Sequence, residues 1–219
     1  AVIPDTASTD ENYTGNAYAM SDASGLVKFT NIPVGDYALI EVKAPTGHAL
    51  DKTPHFFSIV KGSQTDAVVN VGNVVNYETL SDNAIAKSVK TEGATGVNWT
   101  VTTDLPANIA TYQKYEIVDP VPNQVTLASN SIAVKATKES AEALTLTKGE
   151  DYTLTIDSAN TNKFTVALTA AGMEKVVGYE ALEITFSSTI NEGAVLGQVT
   201  NTATLNAIAE EGEPFTDEA

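Results

Sequence analysis

Residues 35–47 read GDYALIEVKAPTG, a pattern that predicts a tight turn, a short strand and a second turn. Side chains alternate along a strand, so Tyr37, Leu39 and Glu41 are predicted to share one face. Glu41 would then point the same way as two large apolar groups, although an ionised carboxylate is strongly disfavoured in an apolar interior. The simplest interpretation is a strand that twists outward and leaves Glu41 at its solvated end. The alternative is a carboxyl group that is kept protonated for chemistry.

The composition favours strands over helices. The chain has 219 residues, enough for two medium domains or one large all-β domain. Threonine, valine, alanine and asparagine are abundant, whereas long amphipathic helical patterns are scarce. The formal net charge is −16, and every basic residue is a lysine. A strongly negative chain without arginine argues against a nucleic-acid-binding protein.

Several classes of site and segment find no support in the sequence. The chain contains no cysteine, which excludes disulfides and thiolate metal sites, and its two histidines lack a carboxylate-rich pattern nearby. We therefore expect neither a metal nor a cofactor. No apolar run approaches the roughly 18 residues that a membrane span needs, and no signal peptide opens the chain. The first residues begin in the middle of a pattern, which predicts a mature or excised fragment.

The order of the predicted strands suggests two β-sandwich domains, residues 1–78 and 83–219, because short strands follow one another at close and regular spacing. Apolar periodicity lapses near residues 77–83. The first segment has predicted strands at 26–32, 37–42, 55–60 and 67–75. The second has predicted strands at 85–90, 97–103, 115–118, 125–134, 152–156, 164–168, 182–188 and 199–208, helical turns at 138–143 and 170–176, and an acidic solvated tail at 210–213.

Three polar residues of the second segment continue runs of inward-facing apolar residues on separate predicted strands: Lys87, Asp119 and Asn201. Taken singly, each is more simply explained as a strand-end residue or a buried hydrogen-bonding residue. Burying all three without mutual compensation would cost a great deal of free energy. We therefore interpret them as one set.

An amine, a carboxyl group and a carboxamide can compensate one another by reacting. Desolvation lowers the pKa of a lysine, which leaves a neutral nucleophilic amine, and it raises the pKa of a carboxylic acid. A protonated carboxyl can polarise the asparagine carbonyl and shuttle protons while the amine attacks and ammonia leaves. The product is a Lys–Asn amide crosslink between strands, formed once per molecule. No pair of inward carboxylates on neighbouring strands supports a conventional enzyme such as a glycosidase.

The opening stretch resembles the E-box, roughly GxYxLxExxAPxGY, of Cna-B-type domains in Gram-positive pilins and surface adhesins. Residues 21–37, SDASGLVKFTNIPVGDY, resemble the segment that leads into it, and this likeness covers about residues 15–77. Residues 83–209 resemble a further pilin domain through short motifs at Ile85–Val89, Trp99–Val101, Leu105-Pro106, Tyr115–Asp119, Asp151-Tyr152 and Asn201. The resemblance implies tandem immunoglobulin-like sandwiches, each locked by an intramolecular isopeptide bond between its first and last strands.

The resemblance also implies residue roles. Lys87, Asp119 and Asn201 match the lysine, the catalytic acid and the asparagine of the second domain. Glu41 matches the acid of the first domain, whose acceptor should be an asparagine on the last strand. Asn73 keeps strand phase and is the first choice, with Asn76 in reserve. An upstream strand with a lysine is missing, so the first domain looks truncated at its N-terminus; the other lysines, in the wrong elements, are Lys28, Lys43, Lys52 and Lys61.

The function implied by the resemblance is structural. The chain would be a fragment of a pilus subunit or cell-surface protein, extracellular and attached to the cell wall, with neighbouring pilin subunits or domains as its partners. It would be no enzyme beyond forming its own crosslink. An alternative is an adhesin module that binds a host receptor, a glycan or matrix protein, through loops at residues 8–16 and 136–150. The chain lacks a Tyr-Pro-Lys pilin motif, which argues against a polymerising shaft subunit.

Overall fold

The structure is a computed structural model that describes residues 18–45, 47–51, 53–61, 69–194, 200–209 and 214–219. These residues form an all-β protein, with α1 (Ala170–Lys175) as a short helical element. The chain divides into two compact units, the first made of residues 1–46 and 50–76 and the second of residues 47–49 and 77–219. The loop expected at residues 8–16 lies outside the described residues.

The first unit is built on an antiparallel pair, β1 (Gly35–Leu39) and β2 (His55–Ile59). The ring of Tyr37 stacks on that of Phe57, with centroids 5.6 Å apart. Burial alternates along β1 and continues past its end, so that Glu41 is half-buried on the same side as Tyr37 and Leu39. The predicted alternation through Glu41 is therefore confirmed, although the strand itself starts two residues earlier and ends three residues earlier than expected.

Two strands predicted for the first segment are wrong in the described residues. Residues 26–32 are not a strand, and Asn31 within them has a positive φ of 57°, which no extended strand residue adopts. Residues 69–75 are not a strand either, while 67 and 68 are not described. Gly72 has a φ of 103°, and the Asn70 side chain accepts a hydrogen bond from its N–H, so a local turn replaces the expected extended run.

The second unit consists of two antiparallel sheets. One sheet has the order β3 (Ile85–Glu92), β4 (Gly96–Asp104), β11 (Ala181–Ile190), β7 (Ala133–Thr137) and β8 (Leu144–Thr145), and β6 (Val125–Leu127) also pairs with β11. The other has the order β13 (Phe215–Glu218), β12 (Thr204–Ile208), β5 (Lys114–Pro120), β10 (Lys163–Leu168) and β9 (Tyr152–Ile156). The two sheets contribute alternate residues to one hydrophobic core, which makes this unit a β-sandwich.

The sandwich core is filled by inward-facing apolar side chains of both sheets. Val101 and Ile184 of one sheet and Ile117, Val166 and Leu205 of the other are each at most 1% exposed. Across the interface, the ring of Phe164 on β10 meets that of Phe186 on β11 edge to face, with centroids 4.9 Å apart. This packing fixes the inner face of each strand.

Some strands of the second segment have other bounds than the sequence predicts. The run 125–134 is broken into β6 and β7 by a 3-10 turn at Ser129–Ser131, because Ser131 Oγ donates to Ala128 O and accepts from Ser187 N. In the run 199–208, residues 200–203 are not a strand and β12 begins at Thr204, while residue 199 is not described. Residues 138–143 form no helix, whereas α1 confirms the turn predicted at 170–176.

The sequence analysis missed two strands. β8 lies inside 136–150, which was expected to be a long loop, and it pairs with β7. β13 follows residues 210–213, which are not described, and it pairs with β12. The chain is therefore part of a sheet again at residues 215–218, where only a solvated end was expected.

Candidate functional site

Strand phase places Lys87 and Asp119 on the inner faces of the sandwich, while Asn201 lies three residues before the start of β12. Lys87 lies on β3 in one sheet and Asp119 on β5 in the other. The register of β5 and β12 pairs Val118 with Thr204, so its continuation by one residue sets Ala203 opposite Asp119. Asn201 lies two residues before Ala203, and its buried amide is close enough to Asp119 to affect the pKa of that carboxyl.

Lys87 and Asp119 are in direct contact inside the sandwich. Lys87 Nζ donates a hydrogen bond to Asp119 Oδ2, and the two side chains are only 5% and 0% exposed. A buried ion pair gives up most of its hydration, so close contact does not by itself make it stable. The structure nevertheless brings these two side chains together in the core.

The Asn201 carboxamide is buried beside this pair with its hydrogen-bonding capacity unused. Within the described residues, neither its oxygen nor its nitrogen has a hydrogen-bond partner of normal geometry, and the same holds for Asp119 Oδ1. The amide still lies close enough to Asp119 to help lower the pKa of that carboxyl. Unsatisfied buried polar atoms are costly and rare. Among the described residues, three of the four such side-chain atoms belong to Asp119 and Asn201, and the fourth is Asn108 Oδ1, so this cluster differs from an ordinary core.

Burial shifts both titrating groups toward their neutral forms. Desolvation is the largest influence on Lys87 and lowers its pKa, although the charge of Asp119 works in the opposite direction. Desolvation likewise raises the pKa of Asp119 against the opposing effects of Lys87 and Asn201. A neutral amine is nucleophilic and a neutral carboxyl can donate a proton. The site therefore brings an amine, a carboxyl group and a carboxamide together, and burial favours the neutral forms of the first two.

Two aromatic rings line the site, and the sequence analysis did not assign them to it. Lys87 Nζ lies 5.4 Å from the ring centroid of Trp99 and 5.6 Å from that of Phe186. Trp99 is held in place because its Nε1 donates to Ser188 Oγ at 2.8 Å. The rings attract a charged ammonium, but they also keep water away from it. The inward phase of both aromatic residues on the predicted strands was the signal that could have located them.

A second lysine–aspartate contact in this unit shows the ordinary behaviour. Lys175 Nζ lies 2.6 Å from Asp151 Oδ2, and the lysine side chain is 39% exposed. The hydrogen bonds from Lys175 and from the Thr147 N–H lower the pKa of Asp151 and so favour its charged form. Burial of the lysine therefore distinguishes the site at Lys87 from a surface ion pair.

In the first unit, Glu41 meets Asn76 and not Asn73. Glu41 Oε2 accepts hydrogen bonds from Asn76 Nδ2 at 2.6 Å and from the Asp51 N–H at 2.7 Å. Asn73 is exposed and follows the turn at Gly72, so it has lost the strand phase on which its selection depended. The described lysines of this unit are all exposed, and Lys52 lies outside the described residues; they are Lys28, Lys43 and Lys61.

The described residues contain no group of three or more histidine, aspartate or glutamate side chains that could hold a metal ion. None of the helices formed by those residues has the length and apolar character needed to cross a membrane.

Comparisons with known proteins place the fold among pilins. The sequence profile of the SpaA prealbumin-like fold domain matches residues 5–74. The crystal structure of BcpA, the major pilin subunit of Bacillus cereus, is similar over 90% of this chain and 57% of its own, with a TM-score of 0.61 and 21% identity. The full-length major pilin SpaD of Corynebacterium diphtheriae is similar over 94% of this chain and 50% of its own, with a TM-score of 0.54 and 22% identity.

A third similar structure is a 35 kDa C-terminal fragment of the major pilin of Streptococcus agalactiae, which covers 61% of this chain and 52% of its own at 23% identity and a TM-score of 0.51. No curated protein sequence matches the chain. The chain spans only about half to three fifths of the pilin structures it resembles. The likeness shows that the chain has a pilin-type β fold.

Proposed function

We propose that this chain is a structural part of a surface pilus subunit and that it stabilises itself with an amide bond between Lys87 and Asn201. One observation carries the proposal: the buried Lys87–Asp119 contact lies beside an Asn201 carboxamide whose polar atoms are unpaired in the described structure. The pilin-type fold supports the structural role, since the similar solved structures are major pilins. Neighbouring subunits are the partners, and the protein is extracellular.

The reaction uses groups that are already in place. The neutral Lys87 Nζ attacks the Asn201 side-chain carbonyl carbon and forms a new C–N bond, while Asp119 donates its proton to the carbonyl oxygen. Asp119 then carries a proton from the amine to the original amide nitrogen, and the bond between the carbonyl carbon and that nitrogen breaks. As the carbonyl re-forms, its hydroxyl proton returns to Asp119. Ammonia leaves, a secondary amide remains, and Asp119 regains its starting form. Asp119 is therefore the catalytic acid and base, and no external reactant is consumed.

The two units have different parts in this proposal. We assign residues 1–78 to a Cna-B-like domain identified by its E-box and residues 83–219 to the domain that carries the crosslink. In the first domain, Glu41 and Asn76 would be the acid and the acceptor of a matching bond, since a hydrogen bond of 2.6 Å joins them. The described lysines of that domain are exposed, so we assign the crosslink to the second domain.

The mass of the intact protein tests the proposal. We expect the purified chain to be lighter than its sequence by one ammonia molecule, because each Lys–Asn amide releases one. Lys87→Ala and Asn201→Ala should each restore the full mass, and peptide mapping should find residues 87 and 201 in one branched fragment. Lys175→Ala is the matched control, since it removes an exposed lysine that also contacts an aspartate and should keep the deficit. An unmodified mass for the folded wild type would refute the crosslink.

Amide formation is expected to depend on pH with a bell-shaped profile. The reactive form needs a neutral amine and a protonated carboxyl, and these two groups titrate as a pair. The rate should fall at low pH, where Lys87 gains a proton, and at high pH, where Asp119 loses one. The lowered pKa of Lys87 extends activity to lower pH than an ordinary lysine would allow, and the raised pKa of Asp119 extends it to higher pH.

The pH profile can be measured on chains that have not yet folded. These chains are held in guanidinium chloride from the time they are made and are then diluted into buffers of different pH. Intact mass follows the loss of ammonia, and Trp99 fluorescence confirms that the chain is folded at each pH. A rate that rises steadily up to the ordinary lysine pKa of 10.5 would contradict an acid-assisted reaction.

A further inference from the structure

The proposed nucleophile is carried by a strand at the edge of its sheet. Among the described residues, β3 pairs with β4 along one side only, since it is the first strand in the order of that sheet. Lys87 lies two residues after Ile85, at the start of β3. An edge strand lacks a second ladder of backbone hydrogen bonds. Besides its pairing with β4, the start of β3 therefore depends on contacts from outside its own sheet, and these contacts also help to position the Lys87 amine.

Asp217 supplies such a contact from the opposite sheet. Its Oδ2 accepts a hydrogen bond from the Ile85 N–H at 3.3 Å. Asp217 lies on β13, the edge strand of the other sheet, where it pairs with the buried Leu205 of β12. Its side chain is on the partly buried side of β13. One carboxylate thus links the edges of the two sheets at the end of β3 that carries Lys87.

The same strand also holds the segment that carries the proposed acceptor. β13 pairs with β12 from Thr204 to Ala207. The pairing extends by one step, because Ala203 N donates to Ala219 O at 2.8 Å and Ala219 N donates to Ala203 O at 3.0 Å. This last backbone pair lies two residues from Asn201. β13 therefore contacts both the lysine strand, through Asp217, and the asparagine segment, through its backbone.

We propose that Asp217 is a positioning residue for the crosslink: its carboxylate ties the start of β3 to β13 and thereby aligns Lys87 with Asn201 across Asp119. This inference rests on the proposed function. Asp217 does not touch the reacting atoms, so its effect is on geometry and not on proton transfer. A misplacement of about 1 Å can slow a reaction between aligned groups by up to about 100-fold.

The test compares rates of ammonia loss after dilution from denaturant. We expect Asp217→Ala to react about tenfold more slowly than the wild type, because the amine is no longer held in alignment. Asp217→Asn keeps a side-chain oxygen that can accept from the Ile85 N–H, so its rate should be close to that of the wild type. Glu218→Ala removes the neighbouring exposed carboxylate and is the matched control, with an unchanged rate.

The pH profile separates positioning from chemistry. Asp217→Ala should lower the rate by the same factor at every pH and leave the shape of the profile unchanged, whereas loss of a reacting group would change the shape. Trp99 fluorescence, recorded in parallel, shows that folding precedes the slow loss of ammonia.

Each other result overturns the assignment. A wild-type rate in Asp217→Ala, or an Asp217→Asn as slow as the alanine variant, would show that the hydrogen bond to Ile85 does not position the lysine. Asp217→Val is a second variant without the side-chain oxygen, and valine is well suited to a strand. If neither Asp217→Val nor Asp217→Ala folds, Asp217 is required for folding and is not a positioning residue. In all three cases the wild type still loses ammonia, whereas failure of the proposed function would remove that loss from the wild type itself.

Discussion

Asp119→Ala is expected to leave Lys87 and Asn201 unlinked inside a folded second unit. The substitution removes the group that would protonate the carbonyl oxygen and the leaving nitrogen, and such acid–base assistance is typically worth about 10²–10⁴ in rate. The Lys87 amine stays in its buried place between Trp99 and Phe186, so a nucleophile remains available. The full sequence mass after purification is the expected result, and an ammonia deficit equal to that of the wild type would contradict it.

Asp119→Asn is the matched variant for that measurement. Asparagine has nearly the shape of aspartate and can still accept a hydrogen bond, but it has no acidic proton to give. The unlinked state should therefore appear in both variants, which would separate the chemistry of Asp119 from its packing. A crosslink that forms in the asparagine variant at the wild-type rate would mean that Asp119 acts only by filling space.

Removal of Asp119 should also lower the stability of the uncrosslinked fold. A buried charge that loses its partner typically costs about 3–5 kcal/mol, and release of a proton by Lys87, whose pKa is already lowered, limits that cost. The appropriate reference is Asn201→Ala, which also lacks the crosslink but keeps the Lys87–Asp119 contact. Urea titrations of the two variants, followed by Trp99 fluorescence, measure the difference.

Much of the second unit could be predicted from alternation alone. Residues 152–156 are a strand with the predicted bounds, and the phase of Lys87 and Asp119 correctly placed both side chains inside the sandwich. Alternation succeeds there because each sheet has one buried face, so a change of phase would expose the whole apolar set. The chemical roles of the three residues remain a prediction from that geometry.

Tertiary contacts explain what the sequence could not show. β13 contains Asp217 and Glu218, and charged residues near a chain end suggest a solvated tail until a partner strand such as β12 is known. The preference for Asn73 over Asn76 depended on a strand phase that the structure does not have. The positive φ of Gly72 interrupts the extended chain, so strand phase counted from earlier residues no longer applies beyond it.

Loss of the crosslink, which Asn201→Ala isolates, should be the largest single contribution to the loss of stability in these variants. The bond would close a loop of about 115 residues between Lys87 and Asn201, and a covalent closure of that size stabilises a fold by about 5 kcal/mol, mainly by restricting the unfolded chain. Guanidinium chloride titrations of wild type and variant should differ by that order. Lys87→Met removes the other end of the same bond, so we expect a similar loss, and the double variant should lose little more because both changes abolish one interaction. Asn206→Ala, on the following strand β12, leaves both ends of the bond intact and should not show this loss.

The free energy of unfolding of Asn201→Ala decides the question. If it lies within about 1 kcal/mol of the wild-type value, the strands are not covalently joined or the unfolded chain is already restricted by other means.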